Sequence, residues 1–114
     1  MGTMLLPIAT AQSITATAYG VPVRCHVSPF LGGQNHNALL INNNAVGGAG
    51  VVAIQGNPSS SATAPADADA GWTTITTLIA ASPLEQEIQL PSWIRYNITT
   101  LGTGTISISL EGVQ

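Results

Sequence analysis

Charge is nearly missing from this sequence. Only 6% of the 114 residues are Asp, Glu, Lys or Arg, against about 25% in an ordinary globular protein. There is no lysine, and the two arginines, Arg24 and Arg95, stand far apart. Phosphate contacts need clustered Lys and Arg, so the composition excludes nucleic acid as a partner. A single cysteine, Cys25, excludes an internal disulfide. No apolar run reaches the roughly 18 residues of a membrane-spanning helix, so no membrane partner is expected. The first residues lack the basic region that opens a secretory signal. No stretch keeps helical periodicity beyond about ten residues.

The polar surface must therefore be built from Thr, Ser, Asn and Gln. Such a surface steers partners little by electrostatics. It also lacks the like-charge repulsion that helps keep proteins apart. A controlled oligomer or assembly component fits this composition, and the bland alternative is a mildly acidic monomer. By size the chain is one domain with one core.

What is present is alternation, clearest over residues 87–114. Ile94, Tyr96 and Ile98 share one face of a first strand, with Trp93, Arg95 and Asn97 on the other. Ile106, Ile108 and Leu110 share one face of a second, opposite Thr105, Ser107 and Ser109. A period of two marks strands with one buried and one wet face. The glycine turn Leu101-Gly102-Thr103-Gly104 between them predicts an antiparallel hairpin.

Further strands are expected over Ser13–Tyr19, over Val21–Val27 with Pro22 marking an edge or bulge, and over 38–41, 51–55, 72–80 and 85–90. About eight short strands separated by Gly, Pro and Asn clusters predict an all-β fold: a two-sheet antiparallel β-sandwich, jelly-roll-like. Residues 1–12 read as an N-terminal apolar arm in which Met4, Leu5, Leu6, Pro7 and Ile8 lie along the domain or reach a neighbouring subunit. Its neutral reading is a frayed terminus. Residues 13–114 read as the single sandwich domain. Residues 56–71, GNPSSSATAPADADAG, hold no large apolar side chain and read as a mobile exposed loop.

Candidate chemistry is sparse. His26 and His36 have no acid near them in sequence, and on an alternating strand Cys25 and His26 point to opposite faces, so no metal site is expected. Asp67 and Asp69 lack the glycine, glutamate and flanking helices of a calcium loop and read as a solvated loop. Glu85 and Glu87 share a strand face, but without a cleft they read as exposed edge acids rather than a glycosidase pair. No Ser/His/Asp or Cys/His set and no G-x-S-x-G elbow can be assembled, so no enzyme and no cofactor is expected. Asn97-Ile98-Thr99 matches a glycosylation sequon, which carries no weight without a secretory signal. Arg95, the one charge inside the predicted hairpin, is expected to stack or to pair with Glu87 or Glu111. Trp72 and Trp93 are expected as core and interface residues, the alternative being a sugar-binding platform.

The run GWTTITTL, a short strand ending in Leu90-Pro91, WIRYNIT, a glycine turn and GTISISLEGVQ resembles the small β-sandwich virion proteins of tailed bacteriophages, of the capsid decoration (cement), neck and fibre-associated kinds. The likeness covers residues 71–114 well and the first 70 only in style. It implies a non-enzymatic homo-oligomer on the virion. The leading expectation is a trimer on the capsid surface bound to the major capsid protein, with the 4–8 segment, Trp93 and Arg95 as interaction residues. A neck or fibre role is the alternative, and a carbohydrate-binding module is the alternative of another class.

Overall fold

Alternating apolar and hydroxyl-bearing residues build two antiparallel sheets packed face to face. The computed structural model describes residues 3–25, 37–43 and 46–113. These contain β1 (Thr3–Ser13), β2 (Ala18–Tyr19), β3 (Val23–Arg24), β4 (Asn37–Asn42), β5 (Val51–Asn57), β6 (Thr73–Leu78), β7 (Glu85–Gln89), β8 (Trp93–Thr100) and β9 (Thr105–Val113). One sheet has the order β1-β9-β4-β7. The other has β2-β8-β5-β6, with β3 also pairing β8.

The pairings follow one rule. β1 pairs β9, β2 and β3 pair β8, β4 pairs β7, and β5 pairs β6. The chain is thus a long doubled-back ribbon. Rolling it up brings β9 against β4 and β8 against β5. This is the jelly-roll arrangement of a two-sheet sandwich. Between the sheets lie Ile14, Leu40, Val52, Ile54, Leu78, Ile94, Ile98, Ile106, Ile108 and Leu110, all essentially inaccessible. Burial of each such side chain contributes roughly 1.5–3 kcal/mol before chain entropy is charged against it.

The expected closing hairpin does not form. β8 lies in one sheet and β9 in the other, so residues 101–104 arch across the sandwich instead of turning back within a sheet. The two apolar faces meet each other across the core rather than lying side by side. Glycine permits the arch. The Gly102 amide donates to the Ile14 carbonyl at 3.0 Å, and a Cβ at Gly102 would sit 2.7 Å from the Gly50 Cα. Gly104 takes φ 95°, a region closed to most L-residues.

Residues expected as an arm at 1–12 contribute β1, which from Thr3 to Ser13 runs along β9 as a sheet edge. Pro7 is tolerated because an edge strand needs only one side of its hydrogen-bonding groups. Register shifts follow between Pro7 and Ala9 and between Ala9 and Gln12. The expected strand at 13–19 is reduced to Ala18–Tyr19. At Ile14 the chain leaves the first sheet and begins its crossing to the second. The expected strand from Val21 is reduced to Val23–Arg24, after Pro22. The expected strand at 72–80 spans Thr73–Leu78.

Candidate functional site

The outer face of the β2-β8-β5-β6 sheet carries the densest polar arrangement among the described residues. On β8, Ile94 and Ile98 point into the core, which turns Trp93, Arg95, Asn97 and Thr99 outward. On β5, Gln55 lies opposite Arg95 and Asn57 opposite Trp93. This face would be wet, but the 58–72 segment folds back over its far half. Arg95 is consequently only 2% exposed.

Arg95 is held from four sides. Its guanidinium carbon lies 4.1 Å from the centre of the Tyr19 ring and 4.1 Å from that of Trp72. Its Nε donates to Gln55 Oε1 at 2.9 Å, and its Nη1 donates to the Asp67 carbonyl at 3.3 Å. The Asp67 carboxylate, itself 64% exposed, stands 3.5 Å from the same nitrogen. Burial lowers the Arg95 pKa from its ordinary value, and electrostatic interaction with Tyr19 and with Asp67 opposes that shift. The covering segment is tied down around it. Trp72 Nε1 donates to the Ala66 carbonyl at 2.9 Å and Trp93 Nε1 to the Ser61 carbonyl at 3.2 Å. Asp69 Oδ1 accepts from Asn57 Nδ2 at 3.2 Å and from the Gly71 amide at 2.7 Å.

Arg95 does not pair with Glu87 or Glu111, which belong to β7 and β9 of the opposite sheet. Its partner is Asp67, from the segment expected as a mobile exposed loop. Trp93 is 7% exposed, with its indole covered by that segment, so it offers no platform to a ligand. Tyr19 and Gln55 were not among the residues the sequence singled out. A lone arginine on an otherwise neutral strand, in a chain with so few aromatics, was the available signal for a stacked guanidinium.

The remaining candidates do not converge. Cys25 is buried, and desolvation pushes its thiol up to about 12, so it is not a thiolate at neutral pH. Glu85 and Glu87 are exposed on the edge strand β7. Among the described residues no three His, Cys, Asp or Glu side chains are grouped to hold a metal ion. His26 and His36 lie outside the described residues. In the 4–8 segment, Leu6 packs against the core and Ile8 belongs to it. Met4 and Leu5 pair with Gly112 and Glu111 through their backbones, and Pro7 lies opposite Ser109, exposed at the edge.

A second region stands apart from the Arg95 cluster. The connections at residues 14–17, 46–50, 79–84 and 101–104 gather at one end of the sandwich. Gly47 bridges Thr103, the Gly102 amide meets the Ile14 carbonyl, and Asn42 Nδ2 donates to the Pro83 carbonyl at 2.8 Å. None of these four connections contains a charged residue. They expose Ile79, Leu84 and Leu101, three of the five large apolar side chains that face solvent among the described residues. Glu85 marks the rim. Compared with family models, with curated proteins and with solved structures, the chain matches none.

Proposed function

We propose that this protein is a structural component of a bacteriophage virion, a capsid decoration (cement) protein that binds the head surface as a trimer and stabilises the shell. The observation that carries the reading is the charge-free end of the sandwich, where Ile79, Leu84 and Leu101 face solvent on glycine- and alanine-rich connections. Exposed apolar side chains grouped on a neutral surface favour contact with another protein surface. A rigid jelly roll presents that surface without needing catalytic groups. The resemblance of residues 71–114 to virion β-sandwich proteins supports the same reading.

The mechanism is mass action. A trimer that binds the closed shell across capsomer boundaries, and binds the open shell less well, shifts the equilibrium toward closure. The partner is the major capsid protein. Apolar and hydroxyl contacts carry the binding, because charges are too few to do so.

Native mass by size exclusion with light scattering tests the oligomer, and co-sedimentation with undecorated shells tests the attachment. A trimer that saturates the shells and stays bound in about 1 M salt, where charge interactions are screened beyond roughly 3 Å, is the expected result. A larger ring would instead place the protein at a neck. Release by moderate salt would overturn the apolar attachment.

A further inference from the structure

A shallow bowl of about 360 Å³ opens on the outer sheet face, between the end of β2 and the second half of β8. Its polar lining is Thr17, Tyr19, Asn97 and Thr99, with no charged residue. Along β8 the outward residues run Arg95, Asn97, Thr99, and Tyr19 lies opposite Asn97. Arg95 occupies one face of the Tyr19 ring at 4.1 Å. The bowl lies on the other side of Asn97 from Arg95, and Tyr19 is among its lining residues. Tyr19 is 48% exposed although its guanidinium neighbour is almost fully buried. The Asn97 side chain makes no hydrogen bond among the described residues. Thr99 Oγ1 donates to the Val51 carbonyl at 3.3 Å and keeps its lone pairs for an incoming donor.

We propose that this bowl is a binding site for a neutral sugar ring. A flat aromatic face meets the C–H face of a pyranose, and the dry underside held by Arg95 fixes the angle at which it is presented. The Asn97 amide supplies both donors and an acceptor, and the Thr17 and Thr99 hydroxyls extend that set. A charged ligand is disfavoured, because it would lose water beside groups that return no opposite charge. The volume falls at the small end of ligand sites, the size of one or two sugar units rather than a long chain. A lone shallow site of this kind binds weakly, with Kd on the order of 1 mM. Repetition on an oligomer raises the apparent affinity. The proposal stands independently of attachment to a shell.

The test is saturation-transfer NMR on the whole protein with glucose, galactose, mannose and N-acetylglucosamine, each at about 10 mM. Transfer to the ring protons of at least one sugar is expected. The signal should persist in Tyr19→Phe, vanish in Tyr19→Ala, and correspond to about tenfold weaker binding in Asn97→Ala, as for loss of one directional contact. Because Tyr19→Ala also removes part of the Arg95 stack, Asn97→Ala provides the variant that leaves the stack intact. Absence of transfer from all four sugars would overturn the proposal. So would a signal that survives both Tyr19→Ala and Asn97→Ala, which would put the sugar elsewhere.

Discussion

Replacing Arg95 tests whether a buried cation between two aromatic rings, rather than an ion pair, holds the 58–72 segment to the sandwich. The hydrogen bond from Nε to Gln55 is charge-assisted and well formed at 2.9 Å, which corresponds to about 1.5–3 kcal/mol. Each ring contact at 4.1 Å adds about 1 kcal/mol in a desolvated setting. The Asp67 carboxylate lies 3.5 Å away and is mostly solvated, so its share is at most about 1 kcal/mol. Arg95→Ala should therefore cost about 3.5–6 kcal/mol, a large part of the 5–15 kcal/mol typical of a domain. Arg95→Lys keeps the charge but loses the plane that fits between Tyr19 and Trp72, and should recover less than half of that loss.

Urea unfolding, followed by tryptophan fluorescence and by far-ultraviolet circular dichroism, provides the measurement. Trp72 serves as a local reporter and should shift to the red in Arg95→Ala before global unfolding, as the segment loosens. Asp67→Ala should cost less than about 1 kcal/mol, and its effect should shrink further in salt. An Arg95→Ala protein within about 0.5 kcal/mol of the wild type would refute the reasoning, since ordinary surface changes fall in that range. Equal losses in Arg95→Ala and Asp67→Ala would refute it differently, by showing that the ion pair dominates.

Three further outcomes are expected. Gly102→Ala places a Cβ against the Gly47 carbonyl and 2.7 Å from the Gly50 Cα; with backbone on both sides it should lose about 1–3 kcal/mol in thermal or urea melts, and an unchanged melt would show that the arch can shift freely. Burial pushes the Cys25 thiol up to about 12 from an ordinary 9.0; because the folded state keeps a proton that the unfolded chain gives up, stability should fall by about 1.4 kcal/mol per pH unit between pH 9 and about 12, and Cys25→Ala should flatten that slope in melts across the alkaline range, the buried Tyr96 hydroxyl, also shifted upward, keeping a share of it. Leu84→Asp and Leu101→Asp should leave the melting transition within about 0.5 kcal/mol of wild type while weakening the proposed attachment to undecorated shells in co-sedimentation; undiminished attachment would move that contact away from the charge-free end.

The strands were legible in the sequence because alternation reports burial directly. Ile106, Ile108 and Leu110 are inaccessible, and Ser107 and Ser109 are half-exposed, as a period of two predicts. The partner of each strand was not legible, for a physical reason. An apolar face looks the same whether its neighbour lies beside it in one sheet or opposite it across the core. Ile94, Tyr96 and Ile98 therefore predicted a hairpin with β9 as readily as the arch that forms. Only long-range contacts at the turn separate the two, and Gly102 meeting Ile14 and Gly50 across more than forty residues leaves no local pattern.

Arg95 was hidden for a related reason. A strand face bearing Trp, Arg, Asn and Thr reads as wet, and the first half of β8 is nevertheless buried on both faces. Up to Trp72 at its end, its cover is a run of Ser, Ala, Thr, Pro and Asp without any large apolar side chain, so hydropathy gives that run nothing to bury. The segment stays in place through carbonyls. Those of Ser61 and Asp67 accept from the Trp93 indole and the Arg95 guanidinium beneath, and that of Ala66 from the indole of Trp72 at the segment's own end. Backbone acceptors are present in every residue and distinguish none, so a cover fastened this way is invisible to composition. The donors are the readable half of the arrangement. In a chain with two tryptophans and two arginines, three of those four side chains meet on this one face, and that scarcity marks it as the place where the outer surface is organised.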